Sequence, residues 1–97
     1  MNNHYFVYIL ASRPNGAIYI GSTSNLRTRL EQHRAGGVAA HTRRYRIYTL
    51  VYFETWLSID DARVREHRIK RWARRWKNEL IETVNPCWRD LSAEIPD

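Results

Sequence analysis

Tyr5-Phe6-Val7-Tyr8-Ile9-Leu10-Ala11, then Arg13-Pro14-Asn15-Gly16, then Ala17-Ile18-Tyr19-Ile20-Gly21, is the stretch on which the fold turns. The first run is aromatic and β-branched, which favours an extended strand whose side chains pack on a pleated surface. Pro14 interrupts it, and Asn15-Gly16 suits a tight turn between strands because both residues tolerate positive φ. Ala17 to Gly21 then resumes strand chemistry. An antiparallel hairpin follows, with Tyr8 and Tyr19 on adjacent strands.

Beyond the hairpin, Ser22-Thr23-Ser24-Asn25 offers several helix caps, and no breaker intervenes between Leu26 and Gly36-Gly37. The spacing predicts a short helix from Leu26 to about Arg34. Leu26, Leu30 and His33 share one face, and Arg29 lies on its flank, four residues before His33. Val38 to Arg46 is polar and basic without a convincing period; it reads as a loop that presents Arg43 and Arg44 over a ligand. Ile47 to Trp56 resumes strand chemistry and makes a third strand. The fold expected is an α/β protein of the α+β type, a small three-stranded antiparallel sheet flanked by helices, in one domain over residues 1–97.

Ser58 with Asp61 three residues later resembles a capping box. A helix starting near Asp60 is expected to run through the basic stretch to about Val84, where Asn85-Pro86 ends it. Its apolar line passes through Ala62, Ile69, Ala73, Trp76 and Leu80, and Glu66 falls on the same line. A carboxylate facing a core is costly unless it is paired or holds a cation. The tail should pack Trp88 and Leu91 back on the body.

Composition narrows the function. The 97 residues are 43% hydrophobic, enough for one core. Sixteen Lys and Arg against ten Asp and Glu leave a net charge of +6, a field that suits a polyanion. From Arg63 to Lys77 run Arg63, Arg65, Arg68, Lys70, Arg71, Arg74, Arg75 and Lys77, with Glu66 the only acid. Arg68 and Arg71 in that run are candidate phosphate contacts, and Trp72 and Trp76 can pack inward or stack on bases. Cys87 is alone, which excludes an intramolecular disulfide and a Cys-rich zinc site and fits a reducing, cytoplasmic setting. No apolar run approaches the roughly 20 residues of a membrane span, and no signal peptide is apparent. His4, His41 and His67 read as surface or loop residues rather than zinc ligands.

Phosphodiester hydrolysis needs an activated water, a cation for the developing charge and a grip on the phosphate. The chain offers a candidate for each. A tyrosine acts as a general base only when nearby positive charge or hydrogen bonds lower its pKa, and Arg29 is placed to do this for Tyr8 and Tyr19.

Val7-Tyr8-Ile9-Leu10, Ile18-Tyr19-Ile20-Gly21-Ser22-Thr23, and then Leu26, Arg29, Leu30 and His33 resemble the GIY-YIG nuclease signature. Arg65-Glu66-His67-Arg68-Ile69-Lys70-Arg71-Trp72 and Asn85-Pro86-Cys87-Trp88-Arg89-Asp90-Leu91 resemble later blocks of its small stand-alone members. Phe6-Val7 stands where the family has Gly-Ile before Tyr8, and no second DNA-binding domain is visible. The resemblance implies a metal-dependent endonuclease acting on nucleic acid, DNA first, with no membrane and no obligate protein partner. It implies that Tyr8 and Tyr19 line the active site, one of them, Tyr8 by preference, assisting deprotonation of water. Arg29 would hold the scissile phosphate, and His33 would contact phosphate or tune a tyrosine. Glu66 would be the carboxylate ligand of Mg²⁺ or Mn²⁺, and Asn85 would contact substrate near the site. The alternative is an inactive nucleic-acid-binding module that uses the basic helix; the joint presence of Tyr8, Tyr19, Arg29 and Glu66 argues against it.

Overall fold

The computed structural model describes residues 4–96. Strands β1 (Tyr5–Ala11) and β2 (Ile18–Thr23) pair antiparallel with Tyr8 opposite Gly21 and Leu10 opposite Tyr19. Their turn closes as its residues require: Asn15 takes φ 59°, and the Gly16 N–H donates to the Arg13 carbonyl at 2.9 Å. Strand β3 (Thr49–Trp56) pairs with the other side of β1, so the order is β2-β1-β3 and β2 is an edge. A bulge in β3 leaves Val51 unpaired between Leu50 and Tyr52 and turns Val51 and Tyr52 to the same core.

Strand alternation divides the core in two. Phe6, Tyr8 and Leu10 pack with Leu26 and Leu30 of helix α1 (Leu26–Arg34), with Leu50, and with Leu91 and Ile95 of the tail. Val7, Ile9 and Ala11 face the other layer, which holds Ile20, Val51, Ala62, Ile69, Ile81 and Trp88. Asn25 caps α1 by accepting from the Thr28 N–H at 3.1 Å, and the helix buries Leu26, Leu30 and His33, the face expected of it.

Residues 38–46 are not the expected loop. Ala40–Tyr45 form a helix, α2, stopped by Arg46 at φ 55°. Six residues make fewer than two turns, too short for a hydrophobic period to show. The only buried residue in it is Thr42.

The long helix is likewise corrected to two, α3 (Ile59–Arg71) and α4 (Arg74–Val84), separated by Trp72 and Ala73 in extended conformation. Neither Pro nor Gly announces the break. Its support is tertiary: Trp72 packs on the core with the Arg65 guanidinium 5.2 Å from its ring, and Arg74 donates to the Gly16 carbonyl in the hairpin turn. The break resets the helical phase. Ala62 and Ile69 are buried and Leu80 packs on the core, but Ala73 is exposed and Trp76 is 51% exposed. The starting cap holds, with Ser58 accepting from the Asp61 N–H at 3.3 Å. The tail also behaves as expected: α4 stops at Val84, Trp88 and Leu91 are buried, and the Leu91 N–H donates to the Leu50 carbonyl at 2.8 Å. Among the described residues, no helix is long and apolar enough to cross a membrane.

Candidate active site

The site is built on the absence of a side chain. A Cβ placed on Gly21 would lie 2.5 Å from the Tyr8 hydroxyl oxygen and 2.7 Å from Cζ, with Tyr19 Cε1 at 3.1 Å. The Tyr8 ring therefore crosses the edge strand at position 21, which any larger residue would block. Tyr8 and Tyr19 end with ring centroids 6.3 Å apart, the first buried and the second half-buried.

A hydrogen-bonded chain leads inward from Tyr8. Its hydroxyl lies 3.0 Å from His33 Nε2, and His33 Nδ1 lies 3.4 Å from Thr42 Oγ1, which itself donates to the Ala39 carbonyl at 2.9 Å. These contacts assign the tautomer. The single Thr42 proton is committed to Ala39, so Thr42 Oγ1 accepts from Nδ1–H, Nε2 is bare, and Tyr8 donates to it. Burial, aided by the Arg29 charge, lowers the His33 pKa from 6.5 to about 4, so the imidazole is neutral. Burial also raises the Tyr8 pKa, with Tyr19 and Glu66 adding to the effect and Arg29 opposing it. Arg29 exerts on Tyr8 the lowering pull expected of it, but desolvation is larger and the phenol keeps its proton. The resting pair is a phenol and a neutral imidazole.

Glu66 reaches the same edge from the opposite layer. Ser22, the next residue after Gly21, points toward α3 and donates to Glu66 Oε1, while Lys70 Nζ sits 2.5 Å from Oε2. The Glu66 side chain is 15% exposed. Burial pushes its pKa up, but the hydrogen bonds from Lys70 and Ser22 and the charges of Lys70 and His67 outweigh that and leave it lowered, so the carboxylate is ionised. Its place on the apolar line is balanced by a hydroxyl and an ammonium. Lys70, at i+4 on the same helix, was readable as a partner from spacing alone; Ser22 stood among the possible helix caps and in the signature block with nothing to point it at Glu66, and Thr42 carried no sequence signal. Among the described residues, no group of three or more His, Cys, Asp or Glu converges as a metal site.

Arg29 is half-buried and acts electrostatically on both Tyr8 and His33. Tyr8, Tyr19, Arg29, His33 and Glu66 are therefore one constellation. Arg43 and Arg44 are exposed on α2, the helix whose Thr42 touches His33. Arg68 is displaced from this group: it lines a hollow with Glu54, Trp56 and Arg65 on the β3 side of α3, because the helix presents Glu66 and Lys70 toward β2. Arg71 is exposed in the last turn of α3. Asn85 is placed in the C-terminal segment with its amide occupied by backbone. It donates to the Val51 and Arg89 carbonyls, both at 2.9 Å, accepts from the Arg89 N–H at 3.1 Å, and is 2% exposed.

Comparison with known proteins places the chain in a family. The family model described as the GIY-YIG catalytic domain matches residues 4–79. A UPF0213 protein of Staphylococcus haemolyticus is 39% identical over 82 residues, 84% of this chain and 98% of that protein. One from Bacillus pumilus is 38% identical over 83 residues, 86% of this chain and 83% of that protein. The solution NMR structure of a UPF0213 protein from Bacillus halodurans superposes with a TM-score of 0.52 at 30% identity, covering 82% of this chain and 84% of that one.

Proposed function

Because this chain belongs to the GIY-YIG catalytic domain family, we propose that it is an endonuclease hydrolysing phosphodiester bonds in DNA, with Tyr8 and His33 as its proton relay and Thr42 orienting His33. The observation that carries the proposal is the 3.0 Å contact between the Tyr8 hydroxyl and His33 Nε2, with the tautomer set by Thr42.

The attacking water gives its proton to the Tyr8 oxygen while Tyr8 passes its own to His33 Nε2, so no free phenolate is formed. The water oxygen bonds to phosphorus, the bond from phosphorus to the departing sugar oxygen breaks, and that oxygen takes a proton from solvent. An imidazole with a pKa of about 4 is a weak base at rest. Part of that depression comes from Arg29, whose charge a bound phosphate neutralises, so substrate binding itself raises the basicity of His33. The planar guanidinium of Arg29 grips the phosphate and stabilises its added charge. Tyr19, its ring 4.8 Å from that of His33, holds the imidazole in place.

Glu66 suits Mg²⁺ or Mn²⁺ bound through a single carboxylate with water filling the remaining positions: it is ionised, and the Lys70 on its Oε2 is a 45% exposed side chain that can swing away. A divalent cation held there supplies, when bound, neutralisation of the charge gathering on the phosphate oxygens. Cytoplasmic action belongs to the same proposal, since Cys87 is an exposed free thiol of the kind a reducing compartment preserves.

The test is incubation with single-stranded, duplex and branched DNA in Mg²⁺ or Mn²⁺, beside Arg29→Ala, His33→Ala and Glu66→Ala. Each substitution should lower the rate by about 10²-fold or more. Cleavage that survives all three would remove the mechanism. Trp76, half-exposed between Arg75 and Lys77, favours the second reading, a binding module without chemistry; salt-sensitive binding with no cleavage in any metal would establish it.

A further inference from the structure

Beside the reaction centre, between the end of β2 and the first turns of α1 and α3, lies a polar cavity of about 220 Å³. Tyr5, Ser22, Thr23, Ser24, Arg29 and Arg63 line it. No carboxylate is among its walls, although Glu66 stands just behind Ser22.

The donors around the cavity divide into two groups. Ser22 is committed to Glu66, and Thr23 exchanges hydrogen bonds with Asn25. Among the described residues, the Tyr5 and Ser24 hydroxyls and both guanidiniums have neither a hydrogen-bond acceptor nor an ion-pair partner. Three other cations of α3 and α4 are compensated instead: Arg65 is paired with Glu54, Lys70 with Glu66, and Arg75 with Glu79. Two uncompensated arginines facing one small space repel each other, and an anion between them removes that repulsion while accepting from several donors at once.

We infer that Arg63 and Arg29 form a phosphate subsite adjoining the reaction centre, which takes a second phosphate of the bound nucleic-acid strand. Arg29 joins the two positions, because it borders the cavity and acts electrostatically on Tyr8 and His33. Arg63 sits one turn before Glu66 and closes the far side. The identity of the ligand as nucleic acid rests on the nuclease reading above, but its phosphate chemistry is measurable without hydrolysis. The same pocket chemistry accepts an internal phosphodiester or the monoester at a strand end.

The experiment follows the arginine Nε–Hε signals of the ¹⁵N-labelled full chain by NMR during titration with inorganic phosphate, without metal. Saturable shifts at both Arg29 and Arg63 are expected, with binding weakened roughly 10-fold or more in Arg63→Gln. On oligonucleotides the same substitution should reduce the slope of log affinity against log salt by about 1. Equal losses on 5′-hydroxyl and 5′-phosphorylated strands mark an internal diester. A preference for the 5′-phosphate that disappears in Arg63→Gln marks the monoester. Arg63 is exposed, so the variant should fold as the parent does. Phosphate that leaves the Arg63 signal unmoved, or an Arg63→Gln protein with the parent's affinity and salt slope, would overturn the subsite even if the protein cleaves DNA. A protein that binds phosphate here and never cleaves would overturn the nuclease reading alone.

Discussion

The hydroxyl oxygen of Thr42 lies 3.4 Å from His33 Nδ1, and the hydroxyl proton is committed to the Ala39 carbonyl. Thr42 is thereby the residue that keeps the bare nitrogen of His33 turned toward Tyr8. Both side chains are fully buried, so neither bulk water nor another acceptor is at hand to substitute.

Thr42→Val keeps the shape and removes the acceptor. The Nδ1–H tautomer then loses its partner, at a cost of about 1–3 kcal/mol in stability. Turnover should fall while substrate affinity holds, and Thr42→Ser should restore it. Nitrogen chemical shifts of His33 report the tautomer directly. Unchanged shifts together with parental turnover in Thr42→Val would show that the hydroxyl does not orient the ring.

His33 should also set the acid limit of stability. Its folded pKa, about 4, lies below the ordinary 6.5, so between these values the unfolded chain binds the proton more readily. The contribution of the neutral ring is fully present above pH 6.5 and is lost as pH falls toward 4, on the order of 3 kcal/mol in all. Urea unfolding of the parent across this range should show that slope, and His33→Gln should flatten it. An equal slope in the variant would assign the acid loss to other groups.

Gly21→Ala introduces a methyl group where Tyr8 passes. With 2.5 Å to the phenol oxygen, the ring must leave its place over the strand and lose His33. A stability loss of about 1–3 kcal/mol is expected from overpacking, with cleavage reduced at least as far as in Tyr8→Phe. Parental rates in Gly21→Ala would show that the close approach is not needed.

The break at Trp72 and Ala73 separates two tryptophans by burial. Trp76, 51% exposed, should cost less than about 1 kcal/mol on replacement by Ala, whereas Trp88, 4% exposed, should cost about 3–5 kcal/mol. Thermal unfolding of both variants decides it; a large loss in Trp76→Ala would restore the continuous apolar line through α3 and α4.

Local chemistry determined the hairpin, the caps at Asn25 and Ser58, the buried face of α1 and the end of α4 before Pro86. Each depends on residues within a turn or two of one another, and a linear pattern records such relations. The constellation Tyr8, Tyr19, Arg29, His33 and Glu66 was legible because the family resemblance names its positions and because a lone carboxylate on an apolar line asks for a partner. Tertiary structure decided the rest. Ser22 meets Glu66 across 44 residues and Arg74 meets Gly16 across 58, and contacts at such separation leave no periodic trace. The short helix that delivers Thr42 is too brief to show a period, and only docking on His33 gives that threonine its meaning. What a side chain does at this sheet edge depends on which strand and helix lie beside it, and that is a property of the packed chain.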